Sequence, residues 1–196
     1  RYLARRFRRA NPDSLIVATG CYAQTDSAKL QSLDEIDLIV PNEAKEKLSE
    51  LIDRYKNGEL DAFQNKLPKS VKAVKENRQE HFKSSATLFA AASSSQTRAF
   101  LKVQDGCNGF CSYCLIPYAR GQSRSVEIVR VLEELQVLAE AGTPEIVLTG
   151  IHIGDYGNDL APASSLATLI REICERPPAI KIRISSLEPS EISDEL

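Results

Sequence analysis

Three of the chain's five cysteines stand within eight residues, as Cys107, Cys111 and Cys114 in the run CNGFCSYC. The spacing C-x3-C-x2-C lets three thiolates on one short loop face a single point. Thiolate is a soft donor that suits zinc and iron–sulfur clusters. A structural zinc normally takes four protein ligands. The other soft candidates, Cys21, Cys174, His81 and His152, are remote in sequence. A cubane cluster can be held through three of its irons while the fourth stays open to a substrate. Three ligands with no near fourth therefore favour a reactive cluster. A zinc site and a group of buried structural thiols remain the alternatives. The odd cysteine count argues against a closed disulfide framework.

The elements around the loop are those of an α/β protein. Ala99 to Val103 alternates as a strand and runs straight into Asp105-Gly106-Cys107. After the loop, Ser125 is expected to cap a helix from Val126 to Ala141, whose core face is Ile128, Val131, Leu132, Leu135 and Leu138. Gly142 and Pro144 supply its stop. Glu145 to Thr149 reads as a strand, Ser164 to Arg176 as a helix closed by Pro177-Pro178, and Ala179 to Ile184 as a strand. Right-handed crossovers turn such a β-α-β-α-β run into part of a parallel sheet or barrel. Ligands gather beyond the C-terminal ends of its strands. The cysteine loop, Thr149-Gly150-Ile151-His152 and Ser185 to Glu188 all follow strand ends, so one shared site is expected there.

Residues ahead of this run also alternate. Arg1 to Ala10 has helical spacing, SLIVATG (Ser14 to Gly20) is a short strand, and Cys21 follows its end. Asp37 to Val40 is a second strand, and Pro41-Asn42-Glu43 opens a helix with Asn42 as the expected cap. From Asn57 to Arg98 the sequence is first charged and then Ala/Ser-rich. It reads as a connection, with strand content near Val71 to Val74.

Length and charge set the outer bounds. With 196 residues the chain can form one large domain or two small ones. A net charge of −2 does not announce a nucleic-acid binder. No signal peptide is visible and no apolar run reaches the roughly 18 residues of a membrane span. A reducing cytoplasm is the default expectation. The absence of Met, even at position 1, predicts a trimmed or partial chain.

CNGFCSYC at the end of a strand resembles the radical S-adenosylmethionine (SAM) superfamily loop. KVQDGCNGFCSYCLIPYARGQSRS, LTGIHIGDYG and RISSLEP together resemble the methylthiotransferases, and GCYAQ (Gly20 to Gln24) resembles that family's additional domain. GIHIGDYG and RISSLEP look most like the branch that modifies threonylcarbamoyladenosine in tRNA. The resemblance implies residues 1–60 as the C-terminal part of the methylthiotransferase N-terminal α/β domain and 61–92 as a linker. It implies 93–196 as the first part of a radical SAM partial (β/α)6 barrel.

It further implies that Cys107, Cys111 and Cys114 bind a 4Fe-4S cluster whose open iron would chelate SAM. Tyr113 would lie near the SAM adenine, and Thr149 and Gly150 would meet its amino group. Cys21 would be one ligand of an auxiliary 4Fe-4S cluster whose other ligands lie upstream of this chain. The implied reaction is methylthiolation at C2 of the modified adenosine at tRNA position 37, with electrons from a donor such as flavodoxin or ferredoxin. The same chemistry on isopentenyladenosine or a ribosomal protein, and a non-catalytic zinc-binding RNA module, are the rival readings.

Other residues have blander expectations. Cys174 shares a helix with Leu166, Leu169, Ile170 and Ile173, so it is expected in the core. His152 divides between a structural hydrogen bond and a site role, and His81 should be solvated. Arg5, Arg6, Arg8 and Arg9 read as a solvated helix face, with phosphate contact as the alternative. Gly150, Gly154 and Gly157 match no phosphate-binding fingerprint and read as turn residues.

Overall fold

The computed structural model describes residues 1–60, 89–91, 97–175 and 180–196. The strand expected near Val71–Val74, His81 and the Pro177-Pro178 stop lie outside them. The chain divides into two compact units, Arg1–Lys83 with Tyr113–Arg120, and Ser84–Ser112 with Gly121–Leu196.

The first unit is built on two parallel strands, β1 (Val17–Thr19) and β2 (Leu38–Val40). Side chains alternate across a strand, so β2 serves two cores. Ile39 packs with Ala23, Leu30, Leu33 and Ile36, whereas Leu38 and Val40 pack with Leu51. Covered on both faces, β2 is apolar throughout, as buried parallel strands are. Helices α1 (Tyr2–Ala10), α2 (Cys21–Thr25), α3 (Ser27–Gln31) and α4 (Leu48–Lys56) supply the cover. Arg8 fixes α1 to the strands. Its guanidinium donates to Pro12 O and Ser14 O at 2.7 Å each and pairs with Asp37 Oδ2 at 2.6 Å. Arg5 pairs with Glu35 at 2.9 Å. Two of the four clustered arginines are thus structural.

Asn42 does not cap a helix. A 3-10 turn over Asn42–Lys47 precedes α4, and no side-chain cap bond is made at its start. The Asn42 amide is engaged elsewhere, donating to Ala119 O at 2.9 Å.

The second unit is a four-stranded sheet in the order β3 (Phe89–Ala91), β4 (Arg98–Lys102), β7 (Glu145–Thr149), β8 (Lys181–Ile184). β4, β7 and β8 are parallel, and β3 is antiparallel to β4. The β-α-β-α-β expectation therefore holds, and β3 adds a strand that the Ala-rich sequence does not announce. Helices α6 (Ile128–Glu140) and α7 (Leu166–Glu175) bury Val131, Leu135, Leu138, Leu166, Leu169 and Ile173 against Ala99, Leu101, Ile146 and Leu148. Alternation leaves Arg98 and Phe100 of β4 exposed. A charged cluster spans this sheet: Glu145 accepts from Arg183 Nε at 2.7 Å and pairs with Arg98 at 3.2 Å. The Arg183 hydrogen bond holds the Glu145 carboxyl below its ordinary pKa despite an opposing desolvation. Buried Tyr156 donates its hydroxyl to Val126 O at 2.6 Å, and burial pushes the phenol's pKa up.

Two expectations are corrected here. Ser125 lies not at a helix cap but in β6 (Arg124–Ser125), which pairs antiparallel with β5 (Gln104–Asp105). Helix α6 starts at Ile128, after Glu127, with no side-chain cap bond. The Ser125 hydroxyl is spent on Gly157 N at 2.8 Å. Cys174 is exposed, not core. It lies one turn beyond half-buried Ile170, at the margin of the stripe whose centre is Leu169 and Ile173.

Candidate metal centre

The cysteine loop leaves the C-terminal end of β4 through a built neck. Val103 N donates to Thr149 O at 2.9 Å, continuing the β4–β7 pairing past the strand. β5 and β6 then close the base of the loop. Gly106 sits at φ +77° with its Cα against the returning chain. A Cβ there would stand 1.9 Å from Gln122 O, so no other residue fits. Cys107 N donates to Gly121 O at 3.1 Å, and Ser123 N to Asn108 Oδ1 at 3.2 Å. Phe110 holds φ +44°, a strained conformation for a bulky residue, between Cys107 and Cys111.

The buried side chain of Gln104 organises this neck. Its amide nitrogen donates to Asp105 O, Gly106 O and Ser123 Oγ at 3.2, 2.9 and 2.9 Å. Its Oε1 accepts from His152 N at 2.9 Å. Gln104 thus joins the cysteine loop to the loop after β7. Gly150 makes this possible, since a Cβ there would stand 2.8 Å from Gln104 Oε1. Asp105 adds ion pairs with Lys102 at 3.1 Å and Arg124 at 3.9 Å, and accepts from Gly106 N at 2.9 Å.

Cys107 is half-buried and Cys111 exposed. Their sulfurs flank one glycine: a Cβ on Gly109 would lie 3.4 Å from Cys107 Sγ and 3.8 Å from Cys111 Sγ. Gly109 N donates to Cys107 Sγ at 3.3 Å. Cys114 is half-buried and accepts from Ile116 N at 3.4 Å, just inside helix α5 (Ile116–Arg120). Amide-to-sulfur bonds favour thiolate and are a feature of cluster ligation. Soft donors and amides on two of the three sulfurs fit iron–sulfur ligation. Among the described residues, no three His, Cys, Asp or Glu side chains gather where a single ion could sit.

The remaining expected residues are placed as follows. Tyr113 is 88% exposed. Thr149 ends β7 and Gly150 follows it, both half-buried. Cys21 opens α2 in the first unit behind Gly20, whose φ is +102°. Its Sγ lies 3.8 Å from Asn42 Nδ2.

Sequence reasoning missed Gln104 and Glu191. Glu191 pairs with His152 Nε2 through Oε1, and its Oε2 accepts from Glu188 N at 2.9 Å. A polar residue directly before a ligand loop is a usable sign for Gln104. Glu191 carries no such sign, because its partner lies 39 residues upstream.

Residues 101–193 match the family model described as the Radical SAM superfamily. The parallel strands β4, β7 and β8 and the cysteine loop lie almost wholly within that match, and the radical SAM class implies a 4Fe-4S cluster and SAM. The relatives narrow the class. Over its whole length the chain is 41% identical to the threonylcarbamoyladenosine tRNA methylthiotransferase MtaB of Bacillus subtilis, covering 41% of that protein. It is 36% identical to the protein of the same name from Aquifex aeolicus, over 96% of this chain and 43% of the relative. Against that of Chlamydia pneumoniae it is 34% identical, over 100% of this chain and 40% of the relative. The chain spans about two fifths of the length of these curated relatives. It is thus similar to methylthiotransferases that carry the MtaB name. No helix among the described residues is long and apolar enough to cross a membrane.

Proposed function

We propose that this chain is part of a tRNA methylthiotransferase that places a methylthio group on C2 of N6-threonylcarbamoyladenosine at tRNA position 37. The observation that carries the reading is the CNGFCSYC loop, set at the end of β4 beside the end of β7. Cys107, Cys111 and Cys114 are assigned as the cluster's three thiolate ligands. When bound, the cluster supplies the electron that cleaves SAM.

The chain's own residues hold and orient. Gly106 lets the loop return on itself, and Gln104 keeps the two loops in register. Tyr113 is assigned to the SAM adenine, and Thr149 and Gly150 to its amino group. Cys21 is assigned to an auxiliary 4Fe-4S cluster in the full-length protein, with Asn42 beside its sulfur. Residues 1–60 belong on this reading to the N-terminal α/β domain and 61–92 to the linker. Residues 93–196 form the start of a partial (β/α)6 barrel. A low-potential donor such as flavodoxin or ferredoxin supplies electrons. The work is proposed to take place in the cytoplasm.

The test uses the full-length protein, reconstituted anaerobically. Wild type should hold iron and sulfide and release 5′-deoxyadenosine from SAM on reduction. Cys111→Ala should abolish that release. Retention of both cluster and release in Cys111→Ala would overturn the ligand assignment. Mass spectrometry of tRNA nucleosides from a deletion strain decides the target. Persistence of the methylthio mark on threonylcarbamoyladenosine, in a strain without a second such gene, would point to isopentenyladenosine or a ribosomal protein instead.

A further inference from the structure

Helix α1 divides its arginines between two faces. Ala4 packs on the first core, Arg5 pairs with Glu35 at 2.9 Å and Arg8 with Asp37 at 2.6 Å, so these three residues mark the side turned to the protein. Arg6 and Arg9 are exposed, and neither makes an ion pair or side-chain hydrogen bond among the described residues. They stand one helical turn apart, and exposed Tyr2 lies one turn before Arg6, so the three share a stripe. Arg1, Tyr2, Arg5, Arg6 and Arg9 line a hollow of about 540 Å³. The helix has no acidic residue, whereas residues 10–60 hold five basic and ten acidic side chains. A near-neutral chain thus concentrates its positive charge on one helix face, which a net charge conceals.

We infer that this face binds RNA: Arg6 and Arg9 contact backbone phosphates, and Tyr2 stacks on an unpaired base. The inference rests on the proposed tRNA substrate, and it gives the first unit a contact surface of its own. Guanidinium groups match phosphate oxygens in pairs. An aromatic ring set among cations suits an RNA strand, because every base has a face to stack. Arg5 and Arg8 hold the helix in place, so Arg6 and Arg9 can be neutralised without releasing it.

The test measures binding of the full-length protein to tRNA from a deletion strain, across a range of salt concentrations. Arg6→Gln with Arg9→Gln should make the slope of log Kd against log salt shallower by about 1.5, for two phosphates lost. Affinity at 0.1 M salt should fall roughly thirtyfold and converge with wild type near 1 M. Lysine at both positions keeps the charges, and should keep the slope and stay within about threefold. Tyr2→Leu should weaken binding roughly fivefold or more at an unchanged slope. Arg130→Gln with Arg171→Gln removes the same charge from α6 and α7, and should leave the slope as in wild type. Wild-type binding by the Arg6 and Arg9 glutamine variant would overturn the inference and leave the face to an acidic protein partner. Unmoved affinity in Tyr2→Leu, or an equal loss in the α6 and α7 control, would overturn it as well. Failure of the tRNA reading looks different, because wild type itself would then have no affinity for this tRNA.

Discussion

Gly106 and Gly142 share a backbone conformation, φ +77°, but not a setting. Gly142 ends α6 with open space around its Cα, whereas a Cβ on Gly106 would overlap the Gln122 carbonyl at 1.9 Å. Gly142→Ala therefore meets only the left-handed penalty of about 1–2 kcal/mol. Gly106→Ala must also push one backbone off another, which no rotamer can relieve. Its urea midpoint should fall clearly further than that of Gly142→Ala, and iron uptake should fall with it. Equal losses in the two variants would mean that the neck is not rigid. At this scale the sequence shows the donors but not their supports. Cys107, Cys111 and Cys114 are legible because their spacing is local. Gln104, His152 and Glu191 meet across 48 and 39 residues, and only the fold brings them together.

Among elements, the strands and helices of the second half are legible because period 2 and period 3.6 separate cleanly there. β7 has the expected bounds, and Gly142 ends α6 with Thr143 N bonded to Leu138 O at 3.1 Å. The caps are not legible. Ser125 and Asn42 have cap chemistry, but tertiary partners claim their side chains at 2.8 and 2.9 Å. β3 escapes notice because its pairing with β4, not its composition, makes it a strand. A pH dependence belongs to this scale as well. Glu145 takes hydrogen bonds or ion pairs from β4 and β8, and Arg183 holds its pKa below the ordinary value. A depressed carboxylate stabilises the fold above its unfolded pKa of about 4.3, and that stabilisation fades as pH falls through the folded value. Arg183→Met should thus lower the urea midpoint near neutrality and differ less from wild type in acid. A gap that widens in acid would contradict this assignment.

For the molecule as a whole, the proposed partial barrel makes a demand that the amides of β8 can answer. In a parallel strand, alternate residues direct both N–H and C=O to the same neighbour. Lys181 N donates to Pro144 O at 3.1 Å and Ser185 N to Leu148 O at 3.3 Å, so the odd-numbered residues of β8 face β7. The amides of Ile182 and Ile184 therefore point away from β7, to the side where no further strand is paired among the described residues. An open edge leaves such amides to water, whereas a barrel covers them with the next strand. If the full-length protein continues the barrel as proposed, the Ile182 and Ile184 amides should exchange with deuterium as slowly as that of Arg183. Fast exchange at those two positions, with Arg183 protected, would make β8 a true edge and exclude the barrel. The two-residue alternation matters because general destabilisation of the sheet would release all three amides together.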